Sequence, residues 1–291
     1  KYGGISPLKY HIPCMVNEVV QFINPKIGDI IVDATFGFGG HSLKILEKEK
    51  NVLIVGIEKD REIFEISKKN FEEYENVKIF NEDYENIDKI LKEINIKEID
   101  KIIFDFGLSS YHLEHSKRGF SFKKDEILDM RYNMEENLPL WKKIKKMKKE
   151  EIEKILKEYG EEKFYKKIAK EIYKQREKIK TTSDLNKIIE KSVPKLKWNK
   201  TKQRVYQAFR IYINDEIEKI KKTLSKVYDF LKPNGRIVCL SYHSLEDRIV
   251  KNFFKEKKMK ILTKKPLTPS LFEIKENPRA RSCCLRCAEK L

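Results

Sequence analysis

No apolar run in the sequence approaches the roughly 18 residues that span a bilayer, and nothing at its start has the pattern of a secretory leader. Cysteine is scarce and unevenly placed, at Cys14, Cys239, Cys283, Cys284 and Cys287. An odd count in a chain too long to be a small stapled domain points to reduced thiols in a reducing compartment. Cys284 and Cys287 have CxxC spacing, yet zinc wants four ligands and no second pair or nearby histidine completes a set. Thiols packed in a terminal strand are therefore expected, and no metal. Residues 113–204 lack a convincing strand, which leaves no room there for a continuing sheet.

Charge, by contrast, is plentiful: 63 basic residues against 46 acidic ones, a net +17. Such an excess favours nucleic acid or another polyanion as partner. An AT-rich genome, which enriches lysine, isoleucine, asparagine and glutamate everywhere, would give the same balance. With 40% hydrophobic residues the chain can bury a core, and 291 residues suffice for one large α/β domain or one carrying an insertion.

Glycine is also sparse, 11 in all, but Gly37, Gly39 and Gly40 fall together in Ile30-Ile31-Val32-Asp33-Ala34-Thr35-Phe36-Gly37-Phe38-Gly39-Gly40-His41-Ser42. A short apolar run ending in an acid, a glycine turn and an amphipathic opening read as strand, tight loop and helix. Glycine lets the backbone reach positive φ and lets a ligand approach the main chain, while the helix start offers free N–H donors. An ordinary βα turn that needs glycine only for its geometry is the alternative.

The pattern repeats. Val52–Ile57, Val77–Phe80 and Ile102–Phe104 read as further strands, separated by helical stretches, which indicates a parallel, doubly wound sheet. Ligands bind beyond the carboxyl ends of such strands. Asp33, Glu58, Asp83 and Asp105 all fall there, and buried charge is costly enough to make that edge the expected site. From about 113 to 204 the sequence reads as a helical insertion, its lysines either tracking phosphates or forming a solvated surface. Apolar residues from Val205 to Leu231 read as one long helix, Arg236–Leu240 as a returning strand with His243 at its end, and Ser282–Ala288 as a final strand. Ser244-Leu245-Glu246-Asp247 has the form of a capping box. The expected domains are 1–112 with 205–291, and 113–204.

Two cofactor classes fit. A dinucleotide site wants G-x-G-x-x-G, and here the sixth position is Ser42. S-adenosylmethionine has a cationic sulfonium and no phosphate, so an acidic rim suits it, with Glu58 placed to accept from the ribose hydroxyls. A methyltransferase, an NAD-dependent oxidoreductase and a non-catalytic RNA-binding protein all remain open on these grounds.

The stretch Asp33–Ser42 resembles the motif of the bacterial RsmH (MraW) family, small-subunit rRNA cytosine N4-methyltransferases. Further strings follow in family order: Asp105-Phe106-Gly107-Leu108-Ser109-Ser110, Arg118-Gly119-Phe120-Ser121-Phe122, Leu128-Asp129-Met130-Arg131, Gly160-Glu161-Glu162, Gln207–Ile211, His243–Arg248 and Asn277–Ser282. The resemblance implies a Rossmann-like class I methyltransferase domain interrupted by a helical substrate-recognition domain. It implies methylation of a cytosine N4 amine near the decoding site, with S-adenosylmethionine as cofactor, rRNA or the small subunit as partner, and a homodimer. It carries cofactor contacts onto Gly39, Gly40, His41, Glu58, Tyr84, Asp105 and His112, beside the Asp33 and Gly37 of the loop. The family's usual Asp and Phe are Glu58 and Tyr84 here, and its Gln falls on His112. The expected location is the cytoplasm, or a ribosome-containing organelle if a leader once preceded Lys1.

The exocyclic amine of cytosine is a poor nucleophile because its lone pair is shared with the ring. An acceptor fixed beside it stabilises the charge that develops on nitrogen, and alignment supplies much of the rest. Asp105, or a backbone carbonyl beside it, is the candidate acceptor, with cofactor holding as the alternative role of Asp105; its Asp-Phe-Gly-Leu setting is not the Asp/Asn-Pro-Pro-aromatic string of many amino-methyltransferases. His243 is placed near the target base, or else merely orients the following helix. Arg118, Arg131, Arg279 and Arg281 are candidates for phosphate contacts, unless they pair internally with Asp129, Glu161 or Glu162. A cytosine amine within a helix is inaccessible, so the target must be unstacked.

Overall fold

A computed structural model describes residues 12–291; residues 1–11 lie outside that range. The chain forms two compact units, one of residues up to Gly107 together with Ile217–Leu291, the other Leu108–Glu216.

The first unit alternates strand and helix. In order come α1 (Val16–Ile23), β1 (Ile30–Asp33), α2 (Gly40–Lys48), β2 (Leu53–Ile57), α3 (Arg61–Asn70), β3 (Val77–Phe80), α4 (Ile87–Glu93) and β4 (Ile99–Asp105). The seven strands lie in the order β3-β2-β1-β4-β5-β7-β6 once β5 (Leu231–Ser241), β6 (Lys260–Ile261) and β7 (Cys284–Glu289) return. The first five are parallel, and β7 pairs antiparallel with both β5 and β6. Parallel strands covered on both faces need apolar residues throughout, as Ile30-Ile31-Val32 and Leu53-Ile54-Val55 supply. The expected α/β architecture is present, with an antiparallel edge that periodicity alone did not specify. Two side-chain layers flank the sheet, one around Val32, Val55, Ile102 and Phe104, the other around Ile31, Ile54, Ile103 and Val238. No helix among the described residues is long and apolar enough to cross a membrane.

The second unit comprises α5 (Ser110–Glu114), α6 (Leu140–Lys146), α7 (Lys149–Glu158), α8 (Tyr165–Gln175), α9 (Thr182–Ser192) and α10 (Trp198–Asn214). Its own core gathers Leu140, Ile152, Ile168, Leu185 and Phe209. Thr181 and Asp184 form a capping box that starts α9.

The long helix expected over Val205–Leu231 is two. Asp215 adopts the left-handed conformation (φ 50°, ψ 37°), ending α10 before α11 (Glu216–Phe230) begins. Asn214 fixes the break, donating to Met130 O at 2.8 Å and accepting from Tyr132 N at 3.0 Å. Val205, Phe209 and Ile213 thus pack in the helical core, whereas Ile220, Leu224 and Val227 pack against the sheet. Consequently α10, expected with the sheet, belongs to the helical unit, and the division falls at 216 rather than 204. The remaining helices, α12 (Ser244–Glu256) and α13 (Leu271–Glu276), belong to the first unit.

Candidate active site

At the carboxyl ends of β1, β2 and β4 the chain brings together the glycine loop, Glu58 and Asp105. Asp33 closes β1 and is 2% exposed; Ser42 Oγ donates to its Oδ2 at 2.7 Å. Burial pushes the Asp33 carboxyl above its usual range, against the lowering effect of that bond. Asp33 therefore ties the start of α2 to β1 and shapes the loop from within.

Each glycine in the loop has its own reason. A Cβ on Gly39, at φ +76°, would lie 2.4 Å from the Phe71 ring, and one on Gly40 would lie 2.8 Å from Pro13. Packing thus excludes side chains at both. Gly37, at φ +54°, has only Thr35 O nearby, at 3.9 Å. Its N–H donates to Glu58 Oε2 at 2.9 Å, while the Asp60 N–H donates to Oε1 at 2.7 Å. Both carboxylate oxygens of Glu58 are anchored, and each keeps a second lone pair for another donor. Burial raises the Glu58 carboxyl to about 7, with the neighbouring Asp60 charge adding to the rise and the two backbone donors opposing it.

The first turn of α2 leaves the Gly40 and His41 N–H groups without intrahelical partners. The His41 ring is engaged within the protein, its Nε2 2.8 Å from Cys14 O, which leaves the backbone N–H as the group this residue offers a cofactor. Tyr84 follows β3 and is 6% exposed, its ring edge-on to Phe104 at 5.8 Å and within 5.7 Å of Lys59 Nζ. Asp83, read from sequence as part of the acidic rim, is committed internally: Lys219 Nζ donates to it at 2.6 Å. Burial raises that carboxyl, but Lys59 and Lys219 more than offset it and hold it low.

Asp105 ends β4 half-buried. Its N–H donates to Thr35 Oγ1 at 2.7 Å and its Oδ1 accepts from Gly107 N at 3.0 Å. Among the described residues Oδ2 has no hydrogen-bond partner. The Tyr242 ring packs where a Gly107 side chain would stand, 2.6 Å from the Cβ position. Burial holds the Tyr242 phenol neutral, and the Asp105 charge acts in the same direction. Next to it, His243 caps α12 with its side chain, accepting from Glu246 N at 3.4 Å. The capping residue is thus His243, not Ser244. Glu246 Oε2 accepts from Tyr242 N at 2.8 Å, and Oε1 lies 2.8 Å from His243 Nε2, a close contact without hydrogen-bond angles.

Thr35, Tyr242 and Glu246 were missed by sequence reasoning. Adjacency to Asp33 and His243, together with the His-x-x-Glu spacing, was the available signal.

Three other expected site residues, His112, Arg118 and Arg131, are used internally. His112 belongs to the helical unit, its Nδ1 2.9 Å from Ser109 Oγ and its ring packed against both Phe120 and Tyr132. Arg118 is 5% exposed and donates to Tyr132 O at 3.0 Å. Arg131 pairs with both Asp129 oxygens, at 2.7 and 2.9 Å, and donates to the Met134 and Asn137 carbonyls. These two arginines hold the loops of the helical unit together. Arg279 and Arg281 are exposed, in the turn Pro278–Ser282. Cys284 and Cys287 both lie on β7 at a spacing that points them to opposite faces, so they do not form a joint ligand pair.

The chain is 44% identical to a ribosomal RNA small subunit methyltransferase H of Caldicellulosiruptor saccharolyticus over 97% of this chain and 99% of that protein. It is 41% identical to the same-named protein of Thermotoga neapolitana, over 96% of each. A solved rRNA methylase from Streptococcus thermophilus superposes with a TM-score of 0.45 at 11% identity, over 95% of this chain and 93% of that one. A family model matches residues 9–291 from before the glycine loop to the last strand, and by that match the chain belongs to the MraW methylase family.

Proposed function

We propose that the N4 amine of a cytosine near the decoding site of small-subunit ribosomal RNA is the atom this enzyme methylates. The chain is an S-adenosylmethionine-dependent methyltransferase acting on small-subunit rRNA. The strand-end residues suit the cofactor. Glu58 keeps lone pairs for a ribose diol, the first turn of α2 offers N–H donors to an anionic tail, and Tyr84 borders the place of the adenine. When bound, S-adenosylmethionine supplies an electrophilic methyl group on a cationic sulfur.

The chain's own part is to hold and polarise the amine. Asp105 accepts a hydrogen bond from it at Oδ2, drawing the nitrogen lone pair out of conjugation and stabilising the positive charge that grows there. The Gly107 N–H and Thr35 keep that carboxylate and its strand end in place, so little reorganisation accompanies the reaction. Tyr242 and His243, clamped by Glu246, border the same strand ends and exclude water from the base. The helical unit recognises the RNA, and Arg279 and Arg281 contact phosphates. The protein works in the cytoplasm, where its substrate is assembled.

The observation that carries this reading is Asp105, fixed by one oxygen and, among the described residues, without a hydrogen-bond partner at the other, beside the glycine loop. Mapping modified cytosines on small-subunit rRNA from cells with and without this protein tests it. One decoding-site cytosine should lose its N4 methyl group; an unchanged map refutes the assignment.

A further inference from the structure

The helical unit carries a concentration of charge that its fold uses only in part. Trp141 to Lys149 contains six lysines and no carboxylate, and Lys174 to Lys180 contains four basic residues and one acid. Lysine is common throughout this chain, so numbers alone decide nothing. Their placement does.

Three ammonium groups stand around the single indole of Trp141: Lys145 at 5.3 Å from the ring centroid, Lys142 at 5.4 Å and Lys180 at 5.9 Å. The backbone fixes this arrangement, for Trp141 N donates to Leu128 O and Leu128 N donates to Lys180 O. Like charges spaced three apart on a helix repel, and attraction to the indole face compensates. Little else does. Among the described residues Lys142 and Lys180 have no ion pair, and Lys145 has only the exposed Glu177 at 3.9 Å, a weak, screened contact. Beside them the Arg176 guanidinium stacks on Tyr173 at 4.1 Å from the centroid, anchored to the Tyr173 carbonyl. By contrast Lys143, on the opposite side of α6, stands over Tyr212.

We infer that this face of the helical unit, Lys142, Lys145 and Lys180 around Trp141, binds the phosphodiester backbone of single-stranded RNA. Converging ammonium groups meet consecutive phosphates, and the exposed part of the indole offers a flat surface to an unstacked base. The inference rests on RNA as the substrate proposed above and adds the surface that holds it.

The test uses the full chain and a fluorescent single-stranded RNA carrying the decoding-site sequence. Its affinity is measured between 0.1 and 0.3 M salt for Lys142→Gln/Lys145→Gln/Lys180→Gln. The control is Lys163→Gln/Lys166→Gln/Lys167→Gln, which removes equal charge at the start of α8. Each lost phosphate contact lowers the salt slope by about 0.7 on a single strand, so three lower it by about 2 and weaken binding roughly a hundredfold at 0.1 M salt. The control should weaken it less than about threefold, and the arginine version of the first triple should retain binding with an unchanged melting temperature. Equal losses in both triples would mean diffuse charge and overturn the inference, as would no loss in either. Methyl transfer by the wild-type chain is read separately, so a failure of the proposed activity leaves this binding result decisive on its own terms.

Discussion

Glu58 offers the sharpest physical test of the cofactor site. Its carboxyl is held near 7 by burial, against 4.5 in the unfolded chain. Between those values the folded protein keeps a proton that the unfolded chain has released. Fewer protons bound in the unfolded state means that stability falls as pH rises. The contribution is intact below about 4.5, declines through the window and is lost above about 7. A shift of that size corresponds to about 3 kcal/mol, or roughly 6–10 °C in melting temperature for a chain of this length. Glu58→Gln removes the titration but keeps the shape. It should also add a pH-independent cost of about 1 kcal/mol, since one amide group cannot accept from both Gly37 and Asp60 N–H.

Urea unfolding of both proteins without cofactor, at intervals from pH 5 to 8, gives the difference curve. Asp33, also raised by burial, titrates equally in both and cancels. The wild-type chain should lose about 2.5 kcal/mol relative to the variant across that range, the rest of the change lying below pH 5. Cofactor affinity should move the other way, tightening as pH rises through 7, because the ionised carboxylate is the better acceptor for ribose hydroxyls. In the variant it should be weaker by about 2 kcal/mol, roughly 30-fold, above pH 7. A flat difference curve with an unchanged affinity would refute the reasoning.

Asp105→Asn should lower kcat by about a hundredfold while leaving cofactor affinity within a few-fold; steady-state kinetics with isothermal titration would separate that from a cofactor-holding role. Gly39→Ala places a Cβ 2.4 Å from Phe71 at a positive φ, whereas Gly28→Ala, also at positive φ, meets nothing within 4 Å. Thermal melts should show a loss of about 1 kcal/mol at Gly28 and about 3 kcal/mol or more at Gly39. Arg131→Ala should destabilise the chain by about 2 kcal/mol through loss of the Asp129 pair, without changing the salt slope of RNA binding.

The sheet was legible because its strands are apolar runs ending in acids, and the turn after β1 announces itself through three glycines in four residues. What sequence could not tell was which acids face inward. Asp83 and Glu58 look alike at strand ends, yet one is paired with a lysine 136 positions away and the other caps the glycine loop. Arg131 read equally as a phosphate ligand or as an internal partner of Asp129, and only the fold commits it to Asp129 and to the carbonyls of Met134, Glu136 and Asn137. The single helix expected over 205–231 was a fair reading of its periodicity. Only the side chain of Asn214, bonded to residues more than 80 positions back, marks the break.

The proposed target atom is the N4 amine of a cytosine. Small-subunit rRNA or assembled small subunits incubated with the protein and isotopically labelled S-adenosylmethionine, digested to nucleosides and resolved by mass spectrometry, test it directly. Label in N4-methylcytidine is the predicted result; label confined to 5-methylcytidine or another nucleoside, or none in RNA at all, would contradict it.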